Sequence, residues 1–236
     1  MKKLLIIKTG ITLREIKKNY GDFEDFFVNA MGSDSQCVTV LPAYESLRFP
    51  EEKKLSGIII TGSHSMVTNY EPWSVEVSKW LRGLENSSIP ILGICYGHQL
   101  IADAFGGKVD YDPRGKEVGT VLVHLTEEGK KDPLLGVLPE NFPAHSFHSQ
   151  RVVELPEKAV LLAENAYESH HSFRIGEHIW GVQFHPEFSR DIMKAYINGF
   201  ESDLTNEGHS TEELKANLKE HSFGRILLKR FYELTR

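Results

Sequence analysis

Apolar positions along this chain recur in two periods. Leu4 to Ile7, Val38 to Leu41, Gly57 to Thr61 and Ile91 to Ile94 are short apolar runs with little alternation, the pattern of strands buried on both faces. Between them the period lengthens to that of a helix. From Asp22 to Met31, residues Phe23, Phe26, Phe27 and Ala30 share one face, and Gly32-Ser33 ends the element. Pro72 suits a first helical turn, with Trp73, Val77, Trp80, Leu81 and Leu84 along one stripe, so packing accounts for two of the three tryptophans. Leu100, Ile101 and Ala104 mark a third helix, stopped by Gly106-Gly107. Strand and helix in alternation predict an α/β fold with a mostly parallel central sheet covered by helices on both faces. In such sheets ligands bind beyond the carboxyl ends of the strands, where Gly62 and Cys95 fall.

After Lys108 the texture changes. Val118 to Leu125 alternates, and Val152-Val153, Val160 to Ala163, His171 to Ile175 and Ile179 to Phe184 are strand-like, with Gly176-Glu177 as a hairpin turn. These strands predict an added antiparallel layer. Ser189 to Leu204 is expected as one further helix. The tail carries a capping box at Ser210-Thr211-Glu212-Glu213 and an interrupted apolar stripe of Leu214, Leu218, Ile226, Leu227, Phe231 and Leu234. The expected division is therefore a main domain over 1–204 and a C-terminal helical extension over 205–236, packed on the body or on the second subunit of a homodimer.

Chemistry concentrates where the fourth strand meets its helix. Gly93-Ile94-Cys95-Tyr96-Gly97 has the spacing of a nucleophile elbow with cysteine at its apex. A sharp strand-to-helix turn lifts that side chain clear of the sheet, and the helix N-terminus favours thiolate over thiol. A cysteine among apolar residues is more often a small buried hydrophobe. His185-Pro186-Glu187 decides between the two readings. His185 follows the strand ending at Phe184, level with Cys95 if the two strands are parallel neighbours, and Glu187 can orient its imidazole.

Composition narrows the setting. The 236 residues are 40% hydrophobic, enough for a sizeable core, and carry a net charge of −6. No basic stripe points to nucleic acid, and no run approaches membrane-spanning length. Cys37 and Cys95 are the two cysteines, too few for a disulfide framework, and a reducing cytoplasm is expected. Cys37 is expected in the strand beginning Cys37-Val38 as part of the core.

Together, Gly93-Ile94-Cys95-Tyr96-Gly97-His98-Gln99 and His185-Pro186-Glu187 resemble the class I glutamine amidotransferases, particularly free-standing proteins similar to the amidotransferase domain of GMP synthase. The resemblance runs from about Leu4 to Ile197 and implies a flavodoxin-like sheet. It implies Cys95 as nucleophile, His185 as base and acid, and Glu187 as the orienting carboxylate. It also implies that Gln99 helps hold the substrate and that the backbone of His148-Ser149-Gln150-Arg151-Val152, with Ser149 and Gln150 at its centre, meets the substrate's α-amino and carboxylate groups. Lys116-Glu117-Val118-Gly119 resembles the segment following the elbow helix. The oxyanion hole would use the backbone N–H of Tyr96 and of the loop at Gly62, where many members have Gly-Gly-Pro and this chain has Thr61-Gly62-Ser63-His64.

No cofactor and no metal site are expected. His145 and His148 have a metal-like gap and His170-His171 are adjacent, but no cysteines or acids stand at zinc spacing around them. Phosphate-binding glycine motifs are absent from the sequence. Three functions follow in order. The first is hydrolysis of the γ-amide of glutamine to glutamate and ammonia, with any ammonia acceptor on a separate synthetase subunit. The second is a γ-glutamyl peptidase using the same residues on γ-glutamyl peptides. The third is a non-catalytic binding module on the same fold.

Overall fold

The computed structural model describes residues 2–236. Among them the strands are β1 (Lys3–Lys8), β2 (Val38–Pro42), β3 (Leu55–Ile60), β4 (Ile91–Ile94), β5 (Lys108–Tyr111), β6 (Glu117–Leu125), β7 (Asn141–His148), β8 (Gln150–Glu154), β9 (Ala159–Glu164), β10 (Ser172–Ile175) and β11 (Ile179–Val182). The helices are α1 (Arg14–Tyr20), α2 (Phe23–Met31), α3 (Pro72–Gly83), α4 (Tyr96–Ala104), α5 (Glu127–Lys131), α6 (Arg190–Gly199), α7 (Glu201–Asn206), α8 (Thr211–Ala216) and α9 (Phe223–Leu234).

One large sheet runs β2-β1-β3-β4-β11-β10-β9-β6-β7. From β2 to β11 neighbouring strands are parallel, and from β11 to β7 they are antiparallel. The expected antiparallel strands thus extend the edge of the parallel sheet, while β5 and β8 pair as a separate ribbon. Successive residues of the parallel strands point to opposite faces. Leu4, Ile6, Ile59, Leu92 and Ile94 join α2 and α9 in one core, and Leu5, Ile7, Ile58, Ile60 and Ile91 join α3 and α4 in the other. Burying both faces explains why these strands show no alternation in sequence.

Local signals set several boundaries. Asp22 caps α2 through its side chain, completes a capping box with Asp25, and Gly32 closes the helix in the left-handed region at φ 64°. Pro72 begins α3. Cys37, expected in a strand, instead ends a 3-10 turn over Ser35–Cys37 and is half-buried. The turn forms because the Asp34 side chain accepts from the Gln36 N–H, delaying β2 by one residue. The helix expected over Ser189 to Leu204 is divided at Phe200 into α6 and α7. Helix α1 and strands β5 and β7 lie in stretches whose apolar pattern is too short or too mixed to announce them.

The C-terminal residues fold back onto the body. Leu227, Leu228 and Phe231 of α9 are fully buried in the same core as Leu4 and Ile6. Leu218 joins a third cluster with Phe188, Met193 and Tyr196, beside the carboxyl ends of the central strands. Among the described residues, no helix is long and apolar enough to cross a membrane.

Candidate active site

Cys95 stands between β4 and α4 with φ 50° and ψ −100°, one of two non-glycine residues with positive φ among those described. An L-residue in this region is strained by about 1–3 kcal/mol, so the surrounding fold must hold it there. It does so from both sides. The Cys95 N–H donates to the Val182 carbonyl at 2.9 Å, and its carbonyl accepts the Gln99 N–H at 3.1 Å. A Cβ at Gly93 would lie 2.4 Å from the Gly97 carbonyl oxygen, and one at Gly97 would lie 2.5 Å from that of Ile60. The two glycines therefore let α4 start directly against the sheet, with Cys95 at its N-cap.

His185 is carried by the neighbouring strand. β11 pairs in parallel with β4, and Val182 is opposite Ile94. The segment after β11 is fixed by the His185 N–H donating to the His145 carbonyl at 2.8 Å. Nδ1 of His185 lies 2.8 Å from Oε1 of Glu187, a buried contact that leaves Nε2 as the other working nitrogen. Phe188 stacks on the imidazole, centroids 4.1 Å apart and planes within 13°. Burial opposes charge on His185, but the Glu187 carboxylate and the Cys95 sulfur overcome it and push the imidazole up to about 10. Cys95 and His185 line one cavity of about 100 Å³.

Gly62 lies two residues beyond the end of β3, against Cys95 and His185. A Cβ there would meet His185 Cε1 at 3.0 Å and the Cys95 Cβ at 3.8 Å. Space for the imidazole is what glycine supplies here; its φ is not in the left-handed region. The Gly62 carbonyl oxygen lies 2.9 Å from the hydroxyls of both Thr9 and Thr61. Because a trans peptide opposes its C=O and N–H, the Ser63 N–H points the other way. Tyr96 contributes its backbone as the first residue of α4, while its side chain is directed elsewhere, with the hydroxyl 2.7 Å from Ser74 Oγ.

Gln99, Ser149 and Gln150 also line the cavity. Nε2 of Gln99 donates to the Gln150 carbonyl at 2.6 Å and to Gln183 Oε1 at 3.0 Å. Gln99 thus ties α4 to the start of β8, and its amide hydrogens are committed to the protein. The Gln150 side chain donates to Thr68 Oγ1. Sequence reasoning missed the aromatic lining of the cavity, which includes Phe23, His64, Phe147, Tyr196 and Phe200. Their spacing in the chain is irregular, and only the approach of α6 to the central strands assembles them. The histidines with metal-like spacing have other neighbours. His145 lies against His221, ring centroids 4.5 Å apart, and His148 and His171 turn toward Glu117. A charged residue at the start of the strand after Lys116 was the visible signal for that cluster.

The class-I glutamine amidotransferase family pattern matches residues 16–200. Gamma-glutamyl peptidase 4 of Arabidopsis thaliana is 32% identical over 81% of this chain and 78% of its own length. The glutamine-hydrolyzing GMP synthase of Borreliella burgdorferi is 32% identical over 67% of this chain but only 30% of its own length. A glutamine amidotransferase from Methylobacillus flagellatus superposes with a TM-score of 0.79 at 19% identity, covering 99% of this chain and 95% of that one. That likeness concerns the fold, and the family match spans both the elbow at Cys95 and the segment carrying His185 and Glu187. On these grounds the chain belongs to the class-I glutamine amidotransferase family.

Proposed function

We propose that the protein cleaves γ-glutamyl amides through a thioester on Cys95. The observation that carries this reading is the 2.8 Å contact of His185 with Glu187 beside an elbow cysteine held at positive φ. Cys95 Sγ, having passed its proton to His185 Nε2, adds to the γ-carbonyl carbon, and the carbonyl oxygen takes up negative charge. The backbone N–H groups of Tyr96 and of the Gly62–Ser63 turn are the candidate donors to that oxygen, each worth about 10²- to 10³-fold in rate. His185 gives its Nε2 proton to the departing nitrogen as the C–N bond breaks. Water then attacks the thioester, His185 takes the proton from it, the C–S bond breaks, and glutamate leaves with Cys95 regenerated. Glu187 holds the ring and balances its charge. The free Cys95 thiol on which this depends suits a reducing compartment.

With glutamine as substrate the leaving group is ammonia, released to water or to a synthetase on another chain. With a γ-glutamyl peptide it is an amine or peptide. The second substrate is favoured by one comparison: the plant peptidase aligns over most of both chains, whereas the GMP synthase aligns only over a minor part of its length. Purified protein should be incubated with glutamine and, in parallel, with γ-glutamyl dipeptides and glutathione, and glutamate release measured beside Cys95→Ala. Release that depends on Cys95 supports the reading, and the preferred substrate selects the leaving group. No release from any of them, with Cys95 also unlabelled by a glutamine-like chloroketone, would leave the binding-module alternative.

A further inference from the structure

A second histidine and carboxylate, His148 and Glu117, are buried beside the cavity, and the mechanism above uses neither. His148 ends β7 and lines the cavity with Cys95, yet its side chain is only 2% exposed. Its Nδ1 lies 2.9 Å from the Gln150 carbonyl oxygen and its Nε2 lies 3.0 Å from Oε2 of Glu117. A carbonyl oxygen can only accept. Glu117 also receives the Ser146 hydroxyl at 2.7 Å and the Asn165 amide at 2.8 Å, and His171 Nε2 stands 3.2 Å away. So many donors around one carboxyl suit its ionised form, which accepts at every lone pair. Facing an acceptor at each end, the His148 ring must carry a proton on both nitrogens. A neutral ring would set a bare lone pair against another in a site closed to water.

We propose that Glu117 fixes His148 as a permanent imidazolium, and that this charge is a second support, besides His185, for the thiolate of Cys95. Glu117 does not line the cavity and His148 does, so of the two charges the positive one borders the space that holds the sulfur. With both N–H groups committed, His148 has none left for substrate. It acts through charge and by pinning the backbone at Ser149 and Gln150, and Glu117 is a positioning residue acting through it.

The surrounding groups favour this state. Burial opposes the charge, but the hydrogen bond and charge of Glu117, then the Cys95 sulfur and Glu168, hold His148 above the ordinary histidine range. The groups that face it are Glu117 from β6, Cys95 from the elbow, Glu168 and His171 from the segment before β10, and His98 from α4. Burial holds His98 far below the ordinary value, so it remains uncharged and does not compete.

The test is the ring-nitrogen NMR spectrum of the ¹⁵N-histidine-labelled protein from about pH 6 to about pH 9, across the ordinary histidine range. One ring, assigned by its loss in His148→Gln, should still carry two protonated nitrogens at neutral pH, where an ordinary histidine is largely neutral. A neutral tautomer at that ring near neutral pH would overturn the proposal, and this measurement needs only the unmodified protein. The effect on Cys95 is read by iodoacetamide alkylation against pH in Glu117→Gln and His148→Gln. Alkylation at neutral pH and below should be about 3- to 10-fold slower in both variants. An unchanged alkylation rate in folded variants would overturn the claim that the charge supports the thiolate. The inference deepens the reading of Cys95 as nucleophile, but neither readout uses a substrate. A protein that cleaved no γ-glutamyl compound would still return both answers.

Discussion

Val182 of β11 is the parallel partner of Ile94 of β4, so the segments bearing His185 and Cys95 leave adjacent strands at the same end of the sheet. Two residues separated by most of a domain in sequence are thereby brought to one cavity by strand register alone. A one-residue slip of β11 would turn its side chains to the opposite face and carry His185 away from the sulfur. The following predictions rest on that geometry.

Strain at the elbow should be measurable without activity. Cys95→Ala and Cys95→Gly both remove the sulfur, but only glycine accepts φ 50° without penalty. The glycine variant should be more stable than the alanine variant by about 1 kcal/mol, seen as about 2–4 °C in thermal midpoint. Equal midpoints would mean that the turn stores no strain. Both variants should lose glutamate release.

Glu187→Gln should alter the pH profile as well as the rate. Against the cost of burial, Glu187 and then Cys95 push His185 up to about 10, so its proton is retained well into alkaline solution. Without the carboxylate the alkaline limb of kcat/KM should fall toward the ordinary histidine value of 6.5, with kcat reduced by about 10²- to 10⁴-fold. In stability the sign is that of a raised pKa: the contribution is complete below 6.5 and lost as pH rises through about 10. Thermal midpoints of the two proteins should therefore converge above that range.

Acid should act through Glu117. Burial opposes its charge, but the His148 and His171 contacts hold its carboxyl well below the ordinary glutamate value of 4.5. Its contribution is therefore complete above 4.5 and is lost as pH falls toward the lowered value. Glu117→Gln should destabilise the protein at neutral pH by about 3 kcal/mol, as for breaking a buried ion pair. Its denaturant midpoint should also change less with acid than that of the unaltered protein, and parallel curves would count against the ion pair.

Methyl groups should not fit at the elbow. Gly97→Ala places a Cβ 2.5 Å from the Ile60 carbonyl oxygen, backbone that cannot swing aside. We expect a loss of about 1–3 kcal/mol and a larger fractional loss of glutamate release than at Gly83, where an added Cβ meets nothing within 4 Å. Gly83→Ala is the matched control, assayed by urea unfolding and by activity.

The last helix should be indispensable to the core. Phe231→Ala removes a fully buried ring that meets Trp180 edge-on, centroids 6.4 Å apart. The expected cost is about 3–5 kcal/mol, measured by chemical unfolding. A cost below 1 kcal/mol would indicate that α9 is an accessory rather than part of the body.

Much of this architecture is visible before folding because local physics writes it into neighbouring residues. The unalternated runs at Leu4, Gly57 and Ile91 announce two-sided burial, and the glycines at Gly93 and Gly97 announce a tight turn whose apex is Cys95. His185, Pro186 and Glu187 are close enough in sequence for their pairing to be read directly. Local pattern also set the limits. Phe200 interrupts a stripe that reads as one continuous helix, and β7 carries a mixture of polar and apolar residues because one edge of the sheet holds the Glu117 cluster.

What folding alone decided is everything that depends on residues meeting from distant segments. Gly62 is spacious for the His185 ring rather than bent in its own backbone, His148 is charged only because Glu117 and Gln150 close on both its nitrogens, and the terminal helix belongs to the core beneath β1. Periodicity and spacing record which face of an element is apolar and where an element turns. They carry no term for the distance between two side chains, and it is that distance, through burial and the Coulomb field, which sets charge and reactivity.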